Sequence, residues 1–96
     1  MLLDDIRSRR DLISDLGHKY GARRIRLFGS VARREERPDS DVDFLVDFPP
    51  GYNMFTQRLR LAESLSDLLN RQVELVPEHE LNPHLRERVL AEAIDL

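Results

Sequence analysis

Asp41 and Asp43 stand two residues apart in "SDVDFLV", at the head of an apolar run. On a strand, residues i and i+2 project from the same face. Two like charges side by side next to a core are unfavourable unless something neutralises them. A hard divalent cation does so, and Mg2+ completes its oxygen shell with water and substrate phosphate. Two such ions, about 3.5–4 Å apart, activate an attacking oxygen and stabilise a leaving one. Upstream lies Gly29-Ser30. Gly29 lets the backbone come close to a ligand. Ser30 brings a hydroxyl and reads as the N-cap of a short helix over residues 31–34, whose free N–H groups attract anions. Arg33, one turn further on, can reach a phosphate oxygen. Glu74 is the only acid in "QVELV" and alternates with Val73 and Leu75, so it can join the aspartates as a third carboxylate. Turn, arginine and acids together form a set that could hold a nucleoside triphosphate with Mg2+.

These residues need a scaffold. Residues 2–19 predict a helix, with Leu2, Ile6, Ile13, Leu16 and Tyr20 on one stripe. "RIRLF" (24–28) alternates as a strand and stops at Gly29. "DVDFLVDF" (41–48) places Val42, Phe44, Val46 and Phe48 on one face and Asp41, Asp43, Leu45 and Asp47 on the other. After the break at "PPGYN", residues 54–69 predict a helix burying Phe55, Leu59, Ala62, Leu65 and Leu69. "QVELVP" (72–77) is a third strand. Asn82-Pro83 opens a last helix to about residue 94, with Leu85, Val89 and Ala93 inward. The order α-β-α-β-α-β-α gives an α/β (α+β) chain. It has a small β-sheet of three or so strands with helices mainly on one face, and the acids project from the more open face.

The chain has 96 residues, no cysteine and a net charge of −3. That length suits a single domain, 1–96. No apolar run is long enough to span a membrane, and the acidic N-terminus does not read as a signal peptide. The lack of cysteine excludes a disulfide framework and fits a reducing cytoplasm. Residues 1–37 carry ten basic and six acidic side chains, residues 38–96 five and twelve. That asymmetry does not suit direct nucleic-acid binding. It does suit arginines facing phosphates while carboxylates hold cations. Arg23, Arg24, Arg26, Arg34 and Arg37 read as solvated or partner-facing, Tyr52 as exposed. His18, His79 and His84 lack metal-ligand spacing.

Gly29-Ser30, Arg33, "SDVD" and the later strand acid resemble the nucleotidyltransferase superfamily that includes DNA polymerase beta. The wording "GSVAR…SDVDFLV" is most similar to the minimal nucleotidyltransferases, the MNT proteins, and the similarity spans nearly the whole chain. The resemblance implies a mixed β-sheet, Mg2+ and a nucleotide, commonly ATP. It implies Asp41, Asp43 and Glu74 as catalytic and metal-binding residues, and Gly29, Ser30 and Arg33 as nucleotide-binding. MNT proteins are often paired with HEPN-domain toxins, which implies an antitoxin in a hetero-oligomer that can transfer AMP to a HEPN tyrosine. Two positions depart from the family pattern: Arg34 stands where glycine is frequent, and Glu74 where the third acid is usually aspartate.

Two functions follow from different classes. As an enzyme, the chain transfers NMP, with AMP from ATP the leading case, to a hydroxyl supplied by a partner protein. As a binding module with a degraded site, it neutralises the partner by covering it.

Overall fold

Alternation in the two central strands decides which side of the sheet becomes core. In the computed structural model, which describes residues 2–96, β1 (Ile25–Phe28) and β2 (Val42–Val46) run antiparallel, with Leu27 opposite Phe44 and Phe28 opposite Asp43. β3 (Val73–Pro77) lies parallel to β2, with Asp43 opposite Glu74 and Phe44 opposite Leu75. A two-residue strand, β4 (Ile94–Asp95), pairs antiparallel with β1 on its other side. The sheet order is therefore β3-β2-β1-β4, a four-stranded mixed sheet, of which alternation in the sequence marks three strands. β4 is too short for alternation to reveal, and only its pairing makes it a strand. Met1, the first residue of the expected domain, lies outside the described residues.

One face of the sheet, with Leu27, Val42, Phe44, Val46 and Leu75, meets the helices. α1 (Leu2–Ser8) supplies Leu3 and Ile6, and α2 (Arg10–Lys19) supplies Ile13. α4 (Leu59–Leu69) supplies Leu61, Leu65 and Leu69. Each fully buried aliphatic or aromatic side chain contributes roughly 1.5–3 kcal/mol. This face carries most of the stability.

Four expectations are corrected. The helix over 2–19 is two helices with a break at Arg9. There the Ser8 hydroxyl donates back to the Asp5 carbonyl at 2.6 Å, while Arg9 Nη1 reaches the Leu68 carbonyl at 2.8 Å. That arginine satisfies a carbonyl of the last turn of α4. The helix over 54–69 begins as a π-turn, Met54–Arg58, capped by Asn53, whose Oδ1 accepts from the Phe55 and Thr56 N–H groups. A wider turn shifts the phase of the apolar stripe. Phe55 (74 % exposed) and Leu59 (43 %) therefore leave the buried face, and Leu61 takes their place. Tyr52 is half-buried instead of exposed, its ring stacked on Phe48 at 4.8 Å.

The fourth correction concerns the second face of the sheet. It is not open over its length. Leu45 is fully buried there, and Arg26, expected in solvent, is buried beside it and paired to Glu78 at 2.8 Å. Glu78 opens a 3-10 turn, Glu78–Glu80, that leads to α5 (Pro83–Glu92). Asn82 caps α5 by accepting from the His84 N–H, as its Asn-Pro sequence predicts. Arg86 of α5 donates to the Glu78 carbonyl, tying the helix to that turn. Leu85 is half exposed, so Val89 is the one buried apolar side chain of α5. No described helix is long and apolar enough to cross a membrane.

Candidate active site

The acids and the Gly-Ser turn meet at one end of the sheet. β1 stops at Phe28, and Gly29 turns the chain into α3 (Gly29–Ala32) with φ +76°. An added Cβ at Gly29 would lie 2.1 Å from Asp43 Oδ2 and 3.2 Å from Asp43 Cβ. Only glycine permits both the left-handed backbone and this approach. β1–β2 pairing is the cause: Asp43 sits opposite Phe28, so its carboxylate projects directly over the next residue, Gly29.

Asp43 is half-buried. Burial, then the charge and hydrogen bond of neighbouring Glu74, then the charge of Asp41, push its carboxyl up to about 6. Nearby Arg33 opposes that rise without cancelling it. Parallel pairing of β2 with β3 thus delivers Glu74 to Asp43, as the strand parity anticipated. Asp41 is exposed, one residue before β2. Its turn is held by a mutual bond pair: Ser40 N–H to the Arg37 carbonyl, and Arg37 N–H to Ser40 Oγ at 2.8 Å. Arg71 clamps the same turn through the Arg37 and Ser40 carbonyls. Nothing in the sequence signals that role for Arg71.

Ser30 does not cap a helix over 31–34. The helix starts at Gly29, its N-cap is Phe28, and no side-chain cap bond forms. Ser30 instead contributes its carbonyl to the helix end, accepting from the Glu35 N–H at 2.8 Å while the Arg34 N–H bonds the Val31 carbonyl. This is a Schellman closure with Arg34 in the left-handed position, φ 58°. The frequent family glycine therefore has a backbone reason. Replacing Arg34 by glycine is expected to stabilise the fold by up to about 1 kcal/mol. It removes a left-handed penalty of about 1–2 kcal/mol, against which stands the loss of exposed ionic contacts such as Arg34–Asp4. A shift of the urea midpoint to higher concentration checks it.

Arg33 lies beside this turn, but its present partners are acids. Arg33 Nη1 binds Glu92 at 3.0 Å and its Nε binds Glu35 at 3.2 Å. The Glu92 hydrogen bond, then that of Glu35, raises its pKa further. Glu92 also accepts the Gly29 N–H at 3.1 Å. Glu92 sits 63 residues from Gly29 in the chain. No local pattern marks it.

Residues 9–96 match the nucleotidyltransferase domain family. The chain belongs to the nucleotidyltransferase family. It is 39 % identical over 82 residues to the protein adenylyltransferase MntA of Thermococcus cleftensis, covering 83 % of this chain and 80 % of that protein. A solved minimal nucleotidyltransferase is 47 % identical and superposes with a TM-score of 0.87 over 100 % of this chain and 97 % of that one. An MntA–HpeT toxin–antitoxin structure, of a mutant, has a TM-score of 0.69 at 25 % identity, over 90 % and 68 % of the two chains. The protein is a transferase with the minimal nucleotidyltransferase fold.

Among the described residues, no three His, Cys, Asp or Glu side chains converge as a ready metal cage. The donor chemistry of this nucleotidyltransferase nevertheless fits Mg2+. Asp43 and Glu74 are hard oxygen donors sharing a hydrogen bond, with the charge of Asp41 adding to their repulsion. A cation would relieve that repulsion.

Proposed function

We propose that this minimal nucleotidyltransferase transfers AMP from ATP to a hydroxyl of a HEPN-type partner, a tyrosine in the leading case, and so acts as that partner's antitoxin. One observation carries the reading. A backbone N–H (Gly29) and a guanidinium (Arg33) already grip an anion, the Glu92 carboxylate, on the turn against which Asp43 packs. A phosphate oxygen asks for the same donors. The likeness to MntA, in a protein adenylyltransferase and in a toxin–antitoxin pair, supports the nucleotide and the class of partner.

The residues divide the work. Gly29 N–H and Arg33 hold the β- and γ-phosphates, with the Ser30 hydroxyl alongside. Asp41, Asp43 and Glu74 would hold Mg2+, two ions in the full site, which supplies charge neutralisation of the triphosphate and Lewis acidity toward the acceptor. The acceptor oxygen attacks the α-phosphorus and its proton passes to a carboxylate of the Asp43–Glu74 pair. The bond from the α-phosphorus to the bridging oxygen breaks, and pyrophosphate leaves with the electron pair. The product is a phosphodiester on the partner.

The test uses the protein with its partner, Mg2+ and ATP labelled in the α-phosphate. Label on the partner, with a mass gain of one AMP, is expected. An unmodified partner that is nonetheless silenced supports the covering module instead. That second reading rests on Arg34 and Glu74, the two positions that depart from the family pattern.

Arg33→Ala is expected to weaken ATP binding by roughly 10- to 100-fold. That corresponds to a charge-assisted bond of about 1.5–3 kcal/mol. Ser30→Ala should leave stability within about 0.5 kcal/mol, since no cap is lost. Calorimetric titration and urea unfolding check the two. Parent-like ATP binding by Arg33→Ala would remove the arginine from the site.

A further inference from the structure

We infer that Glu92 is an internal competitor for the nucleotide phosphate: its carboxylate holds the phosphate donors in the free protein and must yield them when triphosphate binds. The inference rests on the reading of Gly29 and Arg33 as phosphate donors. Glu92 Oε1 accepts the Gly29 N–H at 3.1 Å, and both Glu92 oxygens lie within 3.2 Å of Arg33 Nη1. The Glu92 side chain is 20 % exposed, so the pair is partly shielded from water. A backbone N–H has one hydrogen. It cannot serve a carboxylate and a phosphate with good geometry at once, and two anions on one guanidinium repel each other. Nucleotide and Glu92 therefore exclude each other at these donors.

Displacement has a structural route. Glu92 is the last residue of α5, and Ala93 leads directly into β4. The α5 helix is lightly anchored: Val89 is its one buried residue, and most of the others are exposed. β4 pairs with β1 through only two positions, Arg26–Asp95 and Leu27–Ile94. Releasing Glu92 thus bears on the α5–β4 junction, where Ile94 and Leu96 are only partly buried against the edge of the main core. Glu92 sets nucleotide affinity, because every binding event must first break its contacts. It also couples occupancy of the phosphate site to the end of the sheet.

The experiment titrates AMP-PNP with Mg2+ into the parent, Glu92→Gln, Glu92→Ala and Arg33→Ala, and follows amide hydrogen exchange across residues 92–96. Both Glu92 variants should bind roughly 5- to 30-fold tighter than the parent, the fraction of sites no longer self-occupied. In the parent, AMP-PNP should speed exchange in residues 93–96. In Glu92→Ala that exchange should be fast already and unchanged by nucleotide. A merely structural glutamate would give equal or weaker binding on substitution. That result, with Arg33→Ala losing affinity, overturns the competitor role and leaves the phosphate site standing. If Arg33→Ala binds like the parent, the phosphate reading fails, and the inference with it.

Discussion

Asp41→Asn/Asp43→Asn is expected to lower the proposed AMP transfer to a partner by at least about 10²–10³-fold, the scale of losing charge stabilisation at a reacting phosphoryl group. The double variant keeps the fold and the partner complex, because neither side chain belongs to the main core. Its stability at neutral pH should rise. Asp43 is pushed up to about 6 by burial and by Glu74, from the 3.8 of an ordinary aspartate. The folded state therefore binds this proton more tightly than the unfolded state. Parent stability falls as pH rises from about 4 to about 6 and stays lowered above that. Converted in full, such a shift is about 3 kcal/mol. For a half-exposed carboxyl, solvent screening brings the expected gain of Asp43→Asn near pH 7 to about 1–2 kcal/mol. The gain should vanish below about pH 4, where the parent aspartate is protonated in both states. Urea midpoints at the two pH values check the sign. A variant that is silent in transfer and more stable at neutral pH locates the cost of holding these acids together. A variant that still modifies the partner refutes the acids as catalytic. If the unmodified partner is silenced equally by parent and variant at matched expression, covering explains neutralisation.

Gly29→Ala is the second large effect. A Cβ at φ +76° costs about 1–2 kcal/mol from backbone strain alone. Its approach to 2.1 Å from Asp43 Oδ2 forces the carboxylate, and part of β2, to shift. Such overpacking adds about 1–3 kcal/mol. The expected total is about 2–5 kcal/mol of stability, with loss of nucleotide binding, since the same shift moves the Gly29 N–H. Because the clash is with the Asp43 side chain, Gly29→Ala/Asp43→Gly should recover the steric part and leave only the backbone part. A double-mutant cycle by urea unfolding measures that coupling. A Gly29→Ala cost under about 0.5 kcal/mol would show that turn and carboxylate are not in contact.

Local chemistry was legible in the sequence wherever one short segment decides it. Alternation through Val42, Phe44 and Val46 assigns these three to the core and Asp43 to the other face, whatever the sheet becomes. Asn82-Pro83 starts a helix because its cap needs only neighbours in the chain. The same parity made Glu74 a partner for Asp43, but only parallel pairing of β3 on β2 puts them opposite each other. The registers that failed did so for a nonlocal reason. A π-turn at Met54–Arg58 rotates Phe55 and Leu59 out of the stripe, and periodicity assumes one uniform turn. Arg26 reads as solvated from its neighbours and is buried because Glu78, 52 residues later, meets its charge. Arg34 has no local reason to replace a glycine. Its left-handed backbone becomes visible only when the Schellman bonds close. Glu92 is one acid on an exposed helix until tertiary packing brings it to Gly29 and Arg33. The sequence alone marked Gly29, Ser30 and Arg33 as candidates for phosphate and Asp41, Asp43 and Glu74 as candidates for metal. Tertiary structure decided that the Glu92 carboxylate holds the Gly29 N–H and Arg33, because a hydrogen bond depends on distance in space and not on spacing in the chain.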